Sequence, residues 1–318
     1  MKLLKKISIV LGITIAAMAV IMVIGIIYLS NKPAAPSDYQ TTVKTGGAIE
    51  KMYMKNGEHE VCSFEQRVIQ EFKKIIVYYP SDLVKSSKKF PVIVSCNGTG
   101  TPFSRYPAVA KHLASWGFIV IGTEENYSWN ALGAEICLQY LEVMNQNKIV
   151  DKKTSVFYHK VDFSRVGVVG HSQGGVGVIS AITATKHKNI YKAAVALSPT
   201  NKSLAHALLW DYDESQVKIP ILLLSGEGGG DDWVVTSKQL DQIYDGIHAP
   251  KCKARRRNTE HGHTLYSEEG YVVAWFRWIL MGDRTAALAF TGKNPEIKVN
   301  KNYVDQREDS ISSMNILP

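Results

Sequence analysis

Beyond about residue 46 the chain alternates short β-branched or apolar runs with longer amphipathic stretches, and this alternation limits the fold more than any other feature. Lys74–Tyr79 is stopped by Pro80, and Phe90–Ser95 runs into Asn97-Gly98-Thr99-Gly100. Phe118–Gly122 is another apolar run, and Arg165–Val169, Tyr191–Leu197, Ile219–Leu224 and Lys251–Arg256 read as further strands. Between them fall helical patterns over Tyr106–Ser115, Asn130–Asn147, Gly174–Lys186 and Ser237–Ile247. A last helix, Gly270–Met281, aligns Tyr271, Trp275 and Trp278 on one face. Short strands separated by helices build βαβ units, because parallel neighbours need a crossover long enough to return to the same end of the sheet. The expected domain is a doubly wound α/β fold, a mainly parallel sheet with helices on both faces. In such folds the functional residues gather outside the carboxyl ends of the strands.

One of those strand ends carries an unusual turn. Val166, Gly167, Val168 and Val169 lead into Gly170-His171-Ser172-Gln173-Gly174-Gly175, and a helix follows. G-x-S-x-G between a strand and a helix sets the serine on a tight turn that projects its hydroxyl. A side chain at 170 or 174 would collide with the neighbouring strand and helix, so glycine is required there. The alternative uses of such glycines are a plain structural turn or a phosphate cradle. The cradle is excluded by the missing Gly-Lys-Ser/Thr ending and the missing G-x-G-x-x-G spacing. A serine so placed is a nucleophile in search of a base, and the base needs an orienting carboxylate.

The N-terminus sets the compartment. After Lys2, Lys5 and Lys6, the stretch Ile7–Leu29 holds no charge in 23 residues. As a helix it spans about 34 Å, enough for a hydrocarbon core of about 30 Å. The flank Tyr28-Leu29-Ser30-Asn31-Lys32-Pro33 lacks the small-x-small site of a cleaved secretory signal. The lysines precede the span, which leaves the bulk of the chain outside the cell. The chain therefore divides into an N-terminal transmembrane anchor (or signal) over 1–30, a polar, proline-bearing spacer over 31–45, and one folded domain over 46–318 on the extracytoplasmic side of the cell membrane. The 37 Lys plus Arg exceed the 29 Asp plus Glu, but three of these lysines belong to the first six residues. The densest remaining cluster, Arg255-Arg256-Arg257, is too small for a nucleic-acid footprint, so no nucleic-acid partner is expected. Cys62, Cys96, Cys137 and Cys252 have neither CxxC nor metal-ligand spacing, and no pairing is readable from them.

Taken together, Pro91–Gly100, His112–Val120 and Gly170–Gly175 resemble the α/β-hydrolase superfamily. Within it they are most similar to the branch of cutinase-like, polyester-hydrolase-like and dienelactone-hydrolase-like serine esterases. The similarity runs from about Phe72 to Asp283. It implies the chain order nucleophile, acid, histidine. Ser172 is then the nucleophile. Asp232 is the expected acid, because Asp232-Trp233-Val234-Val235 fits the family's Asp-x-Val-x turn. Asp231 and Glu227 are the alternatives, and Gly228, Gly229 and Gly230 leave the register open. The expected base is His261, four residues past the final strand, with His263 as its rival; His171 is expected to pack beneath the turn. His261-Gly262-His263 invites a metal, but no third ligand accompanies it, so no metal or cofactor is expected. The resemblance places the oxyanion-hole donors at the backbone N–H of Gln173 and of Thr99, where Asn97-Gly98 replaces the family's usual His-Gly. Tyr127, Trp129 and Trp233 are expected to bind substrate.

The implied activity is hydrolysis of a small-molecule or polymer carboxylic ester through an acyl-enzyme on Ser172. Only 60 residues separate Ser172 from Asp232, which leaves no room for an inserted lid domain. Two rival readings share the fold: transfer of the acyl group to a cell-envelope alcohol, and binding without catalysis.

Overall fold

The computed structural model describes residues 32–68, 70–147, 154–312 and 314. Among them a nine-stranded sheet runs in the order β1-β2-β4-β3-β5-β6-β7-β8-β9. Its strands are β1 Val61–Arg67, β2 Lys74–Pro80, β3 Phe90–Cys96, β4 Ile119–Thr123, β5 Val161–His171, β6 Tyr191–Leu197, β7 Ile221–Glu227, β8 Lys251–Arg257 and β9 Tyr303–Asp309. From β4 to β8 every pairing is parallel. The β1/β2, β2/β4 and β8/β9 pairs are antiparallel. The central strands are buried along nearly their whole length, which is why they read as continuous apolar runs. The two edge strands were not expected. Phe64 is the only buried residue of β1 and Tyr303 the only one of β9, so neither carries a hydrophobic run.

Each face of the sheet buries its own apolar layer. On one side Val109, Ala110 and Leu113 of the helix Pro107–Ser115 join Val272, Trp275 and Phe276 of the helix Glu269–Met281. Tyr271, Trp275 and Trp278 all turn inward there, as their spacing requires. On the other side lie the helices Leu132–Gln146, Gln173–Thr183 and Ser237–Gly246. Local chemistry fixes their ends: Pro107 opens its helix at the first position, a capping box joins Thr236 to Gln239, and Gly282 closes the last long helix at φ 69°.

The proposed membrane span falls on residues outside those described. Among the described residues no helix is long and apolar enough to cross a membrane. Within the stretch expected as a spacer, the segment from residue 32 onward packs on the domain. Ala35 and Tyr39 are buried. Ala34 N–H donates to the Arg105 carbonyl at 2.7 Å, Arg105 Nε donates to the Lys32 carbonyl at 2.8 Å, and Arg256 Nη2 donates to the Lys44 carbonyl at 2.6 Å. An isolated tyrosine among polar residues supplies the anchor, and it has no periodic pattern by which to be seen.

Candidate active site

Strand β5 runs directly into Ser172, which sits at φ 62°, ψ −122° before the helix Gln173–Thr183. A non-glycine residue at such a φ costs on the order of 1–3 kcal/mol and persists only where its surroundings hold it. Here Ser172 N–H donates to the Leu197 carbonyl and Gly175 N–H to the Ser172 carbonyl, both at 2.9 Å. A Cβ on Gly170 would lie 2.2 Å from the Gly174 carbonyl oxygen, and one on Gly174 would lie 2.1 Å from that of Cys96. Both positions admit only glycine.

Ser172 Oγ lies 2.9 Å from His261 Nε2, and His261 Nδ1 lies 2.7 Å from Asp231 Oδ1. The carboxylate accepts from Nδ1–H, which fixes the tautomer and leaves Nε2 free to accept from the serine. Asp231 is fully buried, and its other oxygen accepts from Gly226 N–H at 2.6 Å.

The expected Asp232 does not face His261. Asp231 N–H and Asp232 N–H both donate to the Gly228 carbonyl, and Val234 N–H and Val235 N–H return to that of Asp231. The glycines thus coil the loop into a turn that directs residue 231 inward and residue 232 outward. Asp232 instead accepts from Arg255 Nη2 at 2.6 Å. The same guanidinium donates to the Gly226 carbonyl through Nε at 3.1 Å and Nη2 at 2.8 Å, bracing the residue whose N–H holds Asp231. Glu227 also points away and pairs with Arg257 at 3.6 Å. His263 is exposed in the first turn of the helix His261–Ser267, its ring 5.6 Å from that of Tyr266.

His171 braces His261. Its Nε2–H donates to the His261 carbonyl at 2.8 Å, and the two rings are 4.5 Å apart. Desolvation, with a smaller contribution from His261, pushes its pKa down to about 3, so the ring is neutral.

The loop after β3 is tied down by Asn97. Its Nδ2 donates to the carbonyls of Thr123 at 2.7 Å and Glu125 at 2.9 Å, and its N–H donates to Ser128 Oγ at 2.9 Å. Gly98 N–H donates to Tyr106 Oη, and Ser128 N–H to Gln173 Oε1. Asn therefore braces the loop where the family commonly carries His. Among the described residues neither Thr99 N–H nor Gln173 N–H has a protein acceptor, and the latter opens its helix, where no intrahelical partner exists. The sequence reading missed the Asn97–Ser128–Gln173 network and Glu125. Burial pushes the Glu125 pKa up to about 7, although Ser128 Oγ donates to its carboxylate at 2.8 Å.

Tyr127 and Trp233 are exposed and Trp129 is half-buried, on the 126–130 loop and the loop carrying Asp231. Among the described residues no group of three His, Cys, Asp or Glu side chains could hold a metal ion. All four cysteines are free thiols.

A serine presented at the end of β5, in a parallel sheet flanked by antiparallel edges and helices on both faces, is the arrangement of the α/β hydrolases. The model of the PET hydrolase-like family matches residues 40–311, and the chain belongs to that family. It is 25% identical over 247 residues to a bis(hydroxyethyl) terephthalate hydrolase of Streptomyces coelicolor, covering 75% of this chain and 71% of the relative. It is 24% identical over 208 residues to cutinase est1 of Thermobifida alba, covering 63% of each chain. Cutinase est2 of the same organism is 25% identical over 180 residues, covering 56% of this chain and 53% of the relative. The chain is accordingly a carboxylic-ester hydrolase of the serine esterase branch.

Proposed function

We propose that Ser172, His261 and Asp231 form the catalytic triad. Ser172 Oγ attacks the ester carbonyl while His261 Nε2 takes its proton; the same nitrogen then protonates the departing alcohol. Water, deprotonated by His261, attacks the acyl-enzyme and releases the acid with restoration of the serine. Asp231 holds the imidazole and stabilises its charged form. The N–H groups of Thr99 and Gln173 receive the developing oxyanion. The observation that carries this reading is the pair of contacts at 2.9 and 2.7 Å joining a strained serine to a buried carboxylate through one imidazole. Tyr127, Trp129 and Trp233 would flank an acyl or aryl group, and the names of the relatives point to small or polymeric esters. The uncharged Ile7–Leu29 stretch supports anchoring in the cell membrane with the domain outside.

A fluorophosphonate probe should label Ser172 and no other residue. Ser172→Ala should lose on the order of 10⁴–10⁶ in kcat on p-nitrophenyl butyrate with its fold intact. Full activity in a contaminant-free Ser172→Ala preparation would refute the mechanism.

A further inference from the structure

We infer that the domain works with its active-site rim on the bilayer surface, and that its substrate is an acyl ester resident in the membrane. The inference rests on the anchored-hydrolase reading and narrows it. Two hydrogen bonds fix where the N-terminal segment enters the fold: Ala34 N–H to the Arg105 carbonyl, and Arg105 Nε to the Lys32 carbonyl. Arg105 closes the turn Phe103–Arg105 in the loop that presents Thr99, and the next residue, Tyr106, accepts from Gly98 N–H. Lys32–Ser37 also share a groove of about 730 Å³ with Gly262 and His263, the two residues that follow the base. The chain therefore joins the domain on the rim of the site, beside both the oxyanion loop and the histidine loop.

The tether is short. From Leu29 to Lys32 the chain advances three residues, at most about 11 Å when fully extended. The polar zone on each side of a bilayer is itself roughly 5–8 Å deep. With the segment clamped from Lys32 onward, the rim is held at headgroup level with little slack to turn away. Its surface chemistry suits that position. Trp233 is 85% exposed and Tyr127 57%, and rings with one polar edge favour the membrane–water interface. Asn201 Nδ2 donates to the Val234 carbonyl, beside Trp233, and the short helix that Asn201 caps, Lys202–Ala207, is followed by Leu209, which is 76% exposed. Lys32 and Lys111 on the groove complement anionic headgroups. An acyl ester in the same leaflet meets this rim directly, whereas a bulk polymer would have to pass between domain and bilayer.

The test uses the full chain reconstituted in phosphatidylcholine/phosphatidylglycerol vesicles. Two substrates are compared: a fluorogenic diacylglycerol ester held in those vesicles, and p-nitrophenyl butyrate in water. Inserting a 20-residue Gly/Ser linker between Ser30 and Asn31 adds a reach of roughly 25 Å. The insertion should cut hydrolysis of the vesicle ester at least about tenfold, through the lower local concentration, and leave the soluble ester untouched. Leu209→Asp, a surface change that spares the fold, should lower only the vesicle reaction. Equal vesicle hydrolysis with and without the linker, or soluble-ester turnover without any vesicle-ester turnover, overturns the inference. Loss of both activities in the unmodified chain refutes the hydrolase reading instead, and release of the chain from vesicles by washing refutes the anchor.

Discussion

Two adjacent carboxylates, Asp231 and Asp232, hold different partners, and asparagine at each position tests the different roles proposed for them. Both oxygens of Asp231 are engaged: Oδ1 by His261 Nδ1–H at 2.7 Å and Oδ2 by Gly226 N–H at 2.6 Å. In Asp231→Asn the amide oxygen must stay on the Gly226 donor, because the NH₂ group would meet another donor there. That presents NH₂ to His261 Nδ1, which then has to accept. The proton moves to Nε2, and the imidazole can no longer take the proton of Ser172. A reversed tautomer of this kind costs on the order of 10⁴ in kcat, about 5.5 kcal/mol of transition-state stabilisation. Asp232 has a side chain 47% exposed, and its partner Arg255 keeps the Gly226 carbonyl and Asp305, the latter at 3.6 Å. Asp232→Asn should therefore cost about 1 kcal/mol or less in stability, with kcat within roughly fivefold. The assay is kcat on p-nitrophenyl butyrate, with Tm recorded for each variant to exclude misfolding. Near-normal turnover in Asp231→Asn, or a thousandfold loss in a folded Asp232→Asn, would overturn the assignment.

Three further outcomes are expected. His261→Ala should lose several orders of magnitude in kcat while His263→Ala loses no more than roughly tenfold, measured on the same soluble ester. Gly174→Ala would drive a methyl to 2.1 Å from the Cys96 carbonyl oxygen, so Tm and activity should both fall; a fully active, equally stable variant would contradict the packing described for the turn. Glu125, with its pKa raised to about 7 from the ordinary 4.5, holds a proton in the folded state that the unfolded chain releases, so its presence makes stability fall as pH rises through that window. Urea titrations from pH 5 to 8 should find Glu125→Gln gaining on the parent by up to about 3 kcal/mol, and a constant difference across that range would refute the assignment.

What could be read in the sequence was what is enforced locally. Tyr191–Leu197 is apolar except at the exposed Lys192 because the rest of it is buried on both faces, and the strand has those same bounds. Gly170 and Gly174 are legible because the clash they avoid lies within the motif and its neighbouring strand. The edge strands escaped notice because pairing, and not burial, makes them: β1 matches Val61 to Pro80 and Arg67 to Lys74 through backbone bonds to which side chains contribute little. The choice between Asp231 and Asp232 depended on which carbonyl the loop would close upon, and Gly228 is chosen by the turn in three dimensions. Asn97 was noticed as a departure, but its acceptors Thr123 and Glu125 lie across a crossover that no spacing rule reports.

The hydrogen bond from His171 to the His261 carbonyl has a mechanical consequence. The residue covalently bonded to Ser172 grips the backbone of His261 across 90 positions of chain, so displacement of one loop would carry the other with it. A shift of either loop is therefore expected to change the opening of the cleft more than the separation of Ser172 and His261. The coupling does not depend on the charge of His171, because an imidazolium keeps the Nε2–H that donates to this carbonyl. Any activity lost on mild acidification then reports on the chemistry and not on the two parts drifting out of register.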